Sequence, residues 1–161
     1  MKYITIFVIV IASFFSFASL AETEKKSCPI LEGRYPKCKS EIRDIRGEYI
    51  VEQYLKDDVM FYQIHYNDDE TNESRTDAIR TDGVLESRKE RLPRVGIRVR
   101  IDSKSLCNGD SVISTADVYF LGKKAGAFTT KIYLEGTTLY SNLDGKYLNK
   151  QIAKRIVCTQ D

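Results

Sequence analysis

The chain has 161 residues, of which 42% are hydrophobic and 30% charged, and its formal net charge is +2. That length fits one domain of ordinary size. A charge balance so near neutrality argues against a general nucleic-acid binder, and the composition excludes collagen, coiled coils and multi-span membrane proteins.

Residues 1–21 read as a secretory signal peptide. Lys2 supplies the positive start, Ile4 to Phe17 the apolar stretch, and Ser19-Leu20-Ala21 the small residues of a cleavage site before Glu22. The apolar run is short for a membrane span, and cleavage leaves no stable span in residues 22–161. A lipoprotein is not expected, because Lys25-Lys26-Ser27 precedes Cys28 where an apolar lipobox would stand. The expected location is therefore exported, either bacterial periplasm or extracellular.

Cys28, Cys38, Cys107 and Cys158 all follow the signal. Four cysteines in an oxidising compartment predict two disulfides, and three connectivities satisfy that count. We favour Cys28 with Cys38, closing a short loop, and Cys107 with Cys158, tying down the C-terminus. The spacing lacks C-x-x-C pairs and the chain has one histidine, so no zinc site, metal or other cofactor is expected.

Period-two alternation then dominates. Glu48 to Leu55 and Val59 to Tyr66 predict two strands joined at Lys56-Asp57-Asp58, with Met60, Tyr62, Ile64 and Tyr66 on one face. Asn67 to Arg94 is polar and charged, and reads as a long, partly mobile hairpin excursion. Within it Asp68, Glu70 and Asn72 alternate as calcium ligands do, but the glycine and distal glutamate of an EF-hand loop are missing. Asn72-Glu73-Ser74 is a glycosylation sequon, relevant only to a eukaryotic source. Val95 to Ile101 is the clearest half-buried strand, with Arg98 and Arg100 turned to the face opposite Val95. Val112 to Leu121 and Phe128 to Leu134 predict two more strands. Asp82-Gly83 and Asp144-Gly145 carry turn signals. Leu148, Ile152 and Ile156 recur every four residues, so Tyr147 to Cys158 is read as a short helical piece passing into a last strand.

One pattern recurs: an apolar residue, a charged residue, Gly, then Tyr two positions on. It appears at Leu31–Tyr35, Ile45–Tyr49 and Leu143–Tyr147. We expect Gly to supply a bend or bulge and Tyr to open the next strand. Together these features predict an all-β, single-domain antiparallel barrel or half-barrel over residues 22–161.

Cys28-Pro29-Ile30-Leu31-Glu32-Gly33-Arg34-Tyr35, with Cys38 after it, resembles the opening of small exported bacterial proteins that begin C-P-x-L-x-G-x-Y. Those proteins carry a further cysteine in mid-chain and one near the C-terminus, where this chain has Cys107 and Cys158. The resemblance implies export and a cysteine framework, and brings no function with it. Gly33-x-Tyr35 is also similar to the lipocalin G-x-W strand, with Arg155 as its packing partner. That similarity implies a lipocalin-like β architecture.

His65 is the sole histidine and shares a strand face with Phe61 and Gln63. No G-x-S-x-G elbow selects a nucleophile beside it, so a catalytic role is not expected. The leading expectation is a non-enzymatic binding module. Tyr54, Tyr62 and Tyr133 would line a mouth or concave face for a small apolar or amphipathic ligand, and Arg98 and Arg100 would meet an anionic group. The alternative is a cell-envelope interaction protein that uses an exposed sheet face or the charged 67–94 stretch.

Overall fold

The computed structural model describes residues 27–40, 47–68, 74–91 and 96–160. The signal segment, the Glu70–Asn72 stretch and Arg94 lie outside them. Eleven strands follow in chain order: β1 (Gly33–Tyr35), β2 (Lys37–Ser40), β3 (Gly47–Lys56), β4 (Val59–Asp68), β5 (Ser74–Arg80), β6 (Glu86–Arg91), β7 (Arg98–Asn108), β8 (Ser111–Phe120), β9 (Lys123–Glu135), β10 (Thr138–Tyr147) and β11 (Lys150–Thr159).

They form two antiparallel sheets, ordered β1-β3-β4-β5 and β2-β11-β10-β9-β8-β7-β6. Among the described residues, the chain passes from the four-stranded sheet to the seven-stranded one at two corners. Pro36, which has no N–H to donate, separates β1 from β2. Thr81 to Leu85 carries β5 into β6, and there Asp82 bridges to Leu106 while Gly83 N–H donates to the Ser105 carbonyl at 2.9 Å. Because both edges of the small sheet run into edges of the large one, the molecule is an antiparallel barrel, flattened into two layers. Asn67–Arg94 is thus no single hairpin: within its described part, β5 and β6 belong to different sheets.

Three of the hairpin turns are two-residue left-handed pairs whose twist matches that of the strands. Asp57-Asp58 (φ 50° and 60°), Leu121-Gly122 (49° and 78°) and Leu148-Asn149 (46° and 66°) are the three cases. Asp144-Gly145 does not turn. It lies inside β10, paired with Thr129 and Phe128 on one side and with Ala153 and Ile152 on the other. Two complete ladders outweigh a local turn preference. The same ladders correct the helical reading of Tyr147–Cys158, which is β11. A spacing of four is even, so Ile152 and Ile156 share a strand face as readily as a helix face.

The core lies between the layers. Val51, Tyr62 and Tyr35 of the small sheet pack against Cys107, Val112, Ile132, Leu139 and Cys158 of the large one. The two disulfides join Cys28 to Cys107 (Cα–Cα 4.9 Å) and Cys38 to Cys158 (4.1 Å). This corrects the pairing favoured from sequence. An extended β1 stands between Cys28 and Cys38 and holds them apart, while Cys38 and Cys158 face each other as register partners on β2 and β11.

The recurring glycines also act otherwise than expected. None of Gly33, Gly47 and Gly145 has a positive φ. Each sits where a Cβ would strike a neighbour: Gly47 the Asn67 carbonyl and the Tyr66 ring, Gly145 the Ala127 carbonyl and Phe128. The missing side chain leaves room for an aromatic ring across the strand. Gly145→Ala is expected to destabilise by about 1–3 kcal/mol, because Ala127 backbone cannot yield as a side-chain tip would. A drop of about 5–10 °C in thermal midpoint would register it. An unchanged midpoint would refute this account of the glycine.

Candidate functional site

The three tyrosines singled out by sequence are not brought together. Tyr54 points outward from β3, 43% exposed, stacked on its cross-strand partner Phe61 at 5.4 Å. Tyr62 points inward but is fully buried, and its hydroxyl donates to the Pro29 carbonyl at 2.6 Å. Burial pushes its pKa up to about 12. Tyr133 stands on the outer face of the large sheet, stacked on Tyr140 at 5.1 Å. Lys131 lies 5.0 Å from the Tyr133 ring and Arg155 the same distance from the Tyr140 ring. The Asn142 amide donates to the Tyr133 hydroxyl at 3.4 Å. Arg155 therefore packs on Tyr140, not on Tyr35.

Arg98 and Arg100 do share the outer face of β7, because Val99 between them is buried. Arg100 pairs with Asp102 at 3.2 Å and covers the Tyr119 ring at 4.3 Å. The two arginines share that outer face, whereas Tyr62 lies in the core and Tyr54 on the outer face of the other sheet.

His65 has a hydroxyl on one side and a carboxylate on the other. Its Nδ1 lies 3.0 Å from Thr76 Oγ1, and its Nε2 lies 3.5 Å from Glu52 Oε2. These groups come from β5, β4 and β3 in turn, all on the outer face of the small sheet. The His65 side chain is 30% exposed and that of Glu52 59%, so water competes for every contact. This is a solvated cross-strand ladder, not an enclosed catalytic constellation. Among the described residues, no group of three or more His, Cys, Asp or Glu is placed to hold a metal.

The concave site lies elsewhere. A groove of about 850 Å³ runs between the tip of the β3–β4 hairpin and the β7–β8 hairpin. Leu55, Val59 and Met60 come from the first, and Leu106 and Ile113 from the second. The Cys28–Cys107 bridge forms part of the wall, and Asp58, Asp82 and Lys104 supply charge at the lining. Leu55 and Leu106 are 63% and 49% exposed, so their apolar surface faces the groove space and not the core.

Local chemistry holds these walls in place. The Asp57-Asp58 turn folds the hairpin tip so that Leu55 and Met60 lie directly opposite. Thr81 Oγ1 donates to the Met60 carbonyl at 2.8 Å, fixing the end of β5 to that tip. Gly83, with φ +76°, lets the corner pass beside Leu106 where a Cβ would come within 2.9 Å of Cδ2. Asp82 caps the corner by accepting from the Arg80 guanidinium at 2.7 Å and from Val84 N–H at 3.1 Å. Burial works against its ionisation, but these hydrogen bonds win and hold its pKa below the ordinary carboxylate value.

The sequence carries a signal for part of the groove wall. Leu106 and Ile113 each sit beside a buried apolar residue (Cys107 and Val112), which breaks strict alternation. Of two adjacent apolar strand residues one must face away from the core.

No family model matches the chain, and no curated protein matches it. Among solved structures, it is similar to a secretary abundant heat soluble (SAHS) protein from Ramazzottius varieornatus. The identity is 11%, the match covers 84% of this chain and 99% of that one, and the TM-score is 0.49.

Proposed function

We propose that the chain is an exported, non-enzymatic binding module that seats a small apolar or amphipathic ligand in the groove between the β3–β4 tip and the β7–β8 hairpin. One observation carries this reading: a concave space of about 850 Å³ whose walls are Leu55, Val59, Met60, Leu106 and Ile113, with charge kept to Asp58, Asp82 and Lys104. That size and that division of apolar wall and sparse polar groups are those of small-molecule sites. Export is supported by the two disulfides, which persist in oxidising compartments.

The test is a fluorescence titration with an environment-sensitive apolar dye such as anilinonaphthalene sulfonate. Leu106→Glu and Ile113→Glu each place a carboxylate in the wall and are expected to weaken binding by about tenfold or more. Tyr54→Ala and Tyr133→Ala, both on outer faces, should leave it unchanged. Dye binding that survives Leu106→Glu with Ile113→Glu would remove the groove as the seat.

A second reading, an envelope protein that docks a partner, is favoured by Val84 and Leu85, which are 49% and 64% exposed. They follow Gly83, which lies against Leu106 at the groove's border. A groove that ignores small apolar probes while Leu85→Ser abolishes capture of an envelope protein would favour it.

A further inference from the structure

We infer that the outer face of the seven-stranded sheet is a docking surface for an anionic lipid bilayer. Strand parity puts Lys89 and Arg91 of β6 on that face with Arg98, Arg100 and Lys104 of β7. Across β8, the face continues with Lys131 on β9, Lys146 on β10 and Arg155 on β11. All of these are exposed. The acids on the same face are Asp102, Asp117, Asp144 and Glu135. Asp102 is matched by Arg100, and Asp117 by Lys124 at 2.8 Å, so the remaining cations set the sign of the face. A chain of net charge +2 thus hides a strongly basic side.

The distribution of charge selects the partner. Seven strands at about 4.8 Å spacing make a face about 30 Å wide, and its cations are spread over that width instead of following a line. A linear polyanion wants a track of charge and open aromatic rings on which bases stack. Here Tyr133 and Tyr140 stack on each other, and Lys131 and Arg155 lie over the rings. That pair is engaged with itself and with its two cations. A sheet of anionic headgroups, by contrast, meets many separate cations at once, each contributing about 1 kcal/mol near the surface. Tyrosines with an apolar body and a polar tip suit the same interface. Lys104, Lys131 and Arg155, on alternate strands β7, β9 and β11, span the middle of this face and make first contact.

Vesicle co-sedimentation tests this, with phosphatidylglycerol mixed into phosphatidylcholine against phosphatidylcholine alone. Binding should require phosphatidylglycerol and fall steeply between about 50 and 300 mM salt, as screening shortens the reach of each charge. Lys104→Gln with Lys131→Gln and Arg155→Gln should weaken it by about tenfold or more, while Lys56→Gln on the opposite sheet leaves it intact. Circular dichroism and an unchanged thermal midpoint establish that the triple variant is folded; if it is not, Lys104→Gln and Lys131→Gln are read singly, each expected to weaken binding by a few-fold. Equal binding to neutral vesicles, no effect of these substitutions, or capture by heparin without any vesicle binding would each overturn the proposal. Dye binding in the groove is measured on Lys131→Gln alone, because Lys104 also lines the groove. It should be unaffected by Lys131→Gln, which separates failure here from failure of the ligand reading.

Discussion

Removing the Cys38–Cys158 bridge, as Cys38→Ala with Cys158→Ala, is expected to cost about 2–5 kcal/mol and to lower the thermal midpoint by roughly 10 °C or more. The two cysteines are 120 residues apart, so the bridge closes nearly the whole folded chain and removes a large part of the unfolded ensemble. In the chain-entropy account a loop of that length is worth about 5 kcal/mol. In the folded state the bridge also secures β2, whose only ladder to the large sheet is four pairs with β11. Without it, the corner at Pro36 loses the anchor that carries the small sheet into the large one. Both cysteines are replaced together because a single change leaves a buried thiol free to exchange with the other pair. Calorimetry of the double variant reads the cost, and non-reducing peptide mapping reads the pairing. Recovery of a Cys28–Cys38 peptide would overturn the connectivity on which the expectation stands. The companion pair, Cys28→Ala with Cys107→Ala, spans 79 residues and should cost a similar amount while also loosening the groove wall.

That pairing marks where a one-dimensional reading stops. The count of four was legible, because it depends on composition alone. The partners were not, because a disulfide joins residues adjacent in space. Cys28 and Cys38 are close along the chain and separated by an extended strand, which is the arrangement least able to bridge them. Register supplied what spacing could not: Cys38 faces Cys158 only once β2 is laid against β11. The all-β architecture was legible for a complementary reason. Alternation such as Arg98, Val99, Arg100 and Ile101 is a local consequence of the pleat, and survives without knowledge of neighbours. Turn signals were less trustworthy. Asp144-Gly145 has the composition of a hairpin turn, yet pairing on both sides of β10 draws it into the strand, and the chain reverses at Leu148-Asn149.

The site was the least legible part. Choosing large aromatics as ligand contacts assumes that they face a hollow, but Tyr62 fills the core and Tyr54 and Tyr133 lie outside it. The walls of the groove are instead aliphatic residues that disturb alternation. Arg98 and Arg100 were placed on their face correctly, since that inference needed only the parity of one strand. Their companions Lys131 and Arg155 come from distant sequence, and only the order of strands in the sheet unites them.

Tyr62→Ala is expected to destabilise by about 3–5 kcal/mol, and Tyr62→Phe by about 1–1.5 kcal/mol. The ring is 1% exposed and packs in the cluster that joins the two sheets, so its deletion opens a cavity there. Replacing Tyr by Phe keeps the ring and removes one hydrogen bond, the 2.6 Å contact that ties the Pro29 carbonyl, and with it the Cys28 segment, to β4. The two substitutions also differ from wild type in alkali. The Tyr62 pKa is raised to about 12 by burial, above the value near 10 of an unfolded chain. Below pH 10 both states hold the proton and its contribution to stability is complete. As pH rises from 10 toward 12, the unfolded chain loses that proton first, so stability falls across this window. Burial raises Tyr35 and Tyr49 as well, so a shallower alkaline limb persists when Tyr62 is replaced. Urea midpoints of wild type and Tyr62→Phe at pH 8, 10 and 11 give the test. The gap between the two proteins should narrow above pH 10, since only wild type has this proton to lose. A gap that stays constant to pH 11 would mean that Tyr62 ionises as freely in the folded barrel as in the unfolded chain.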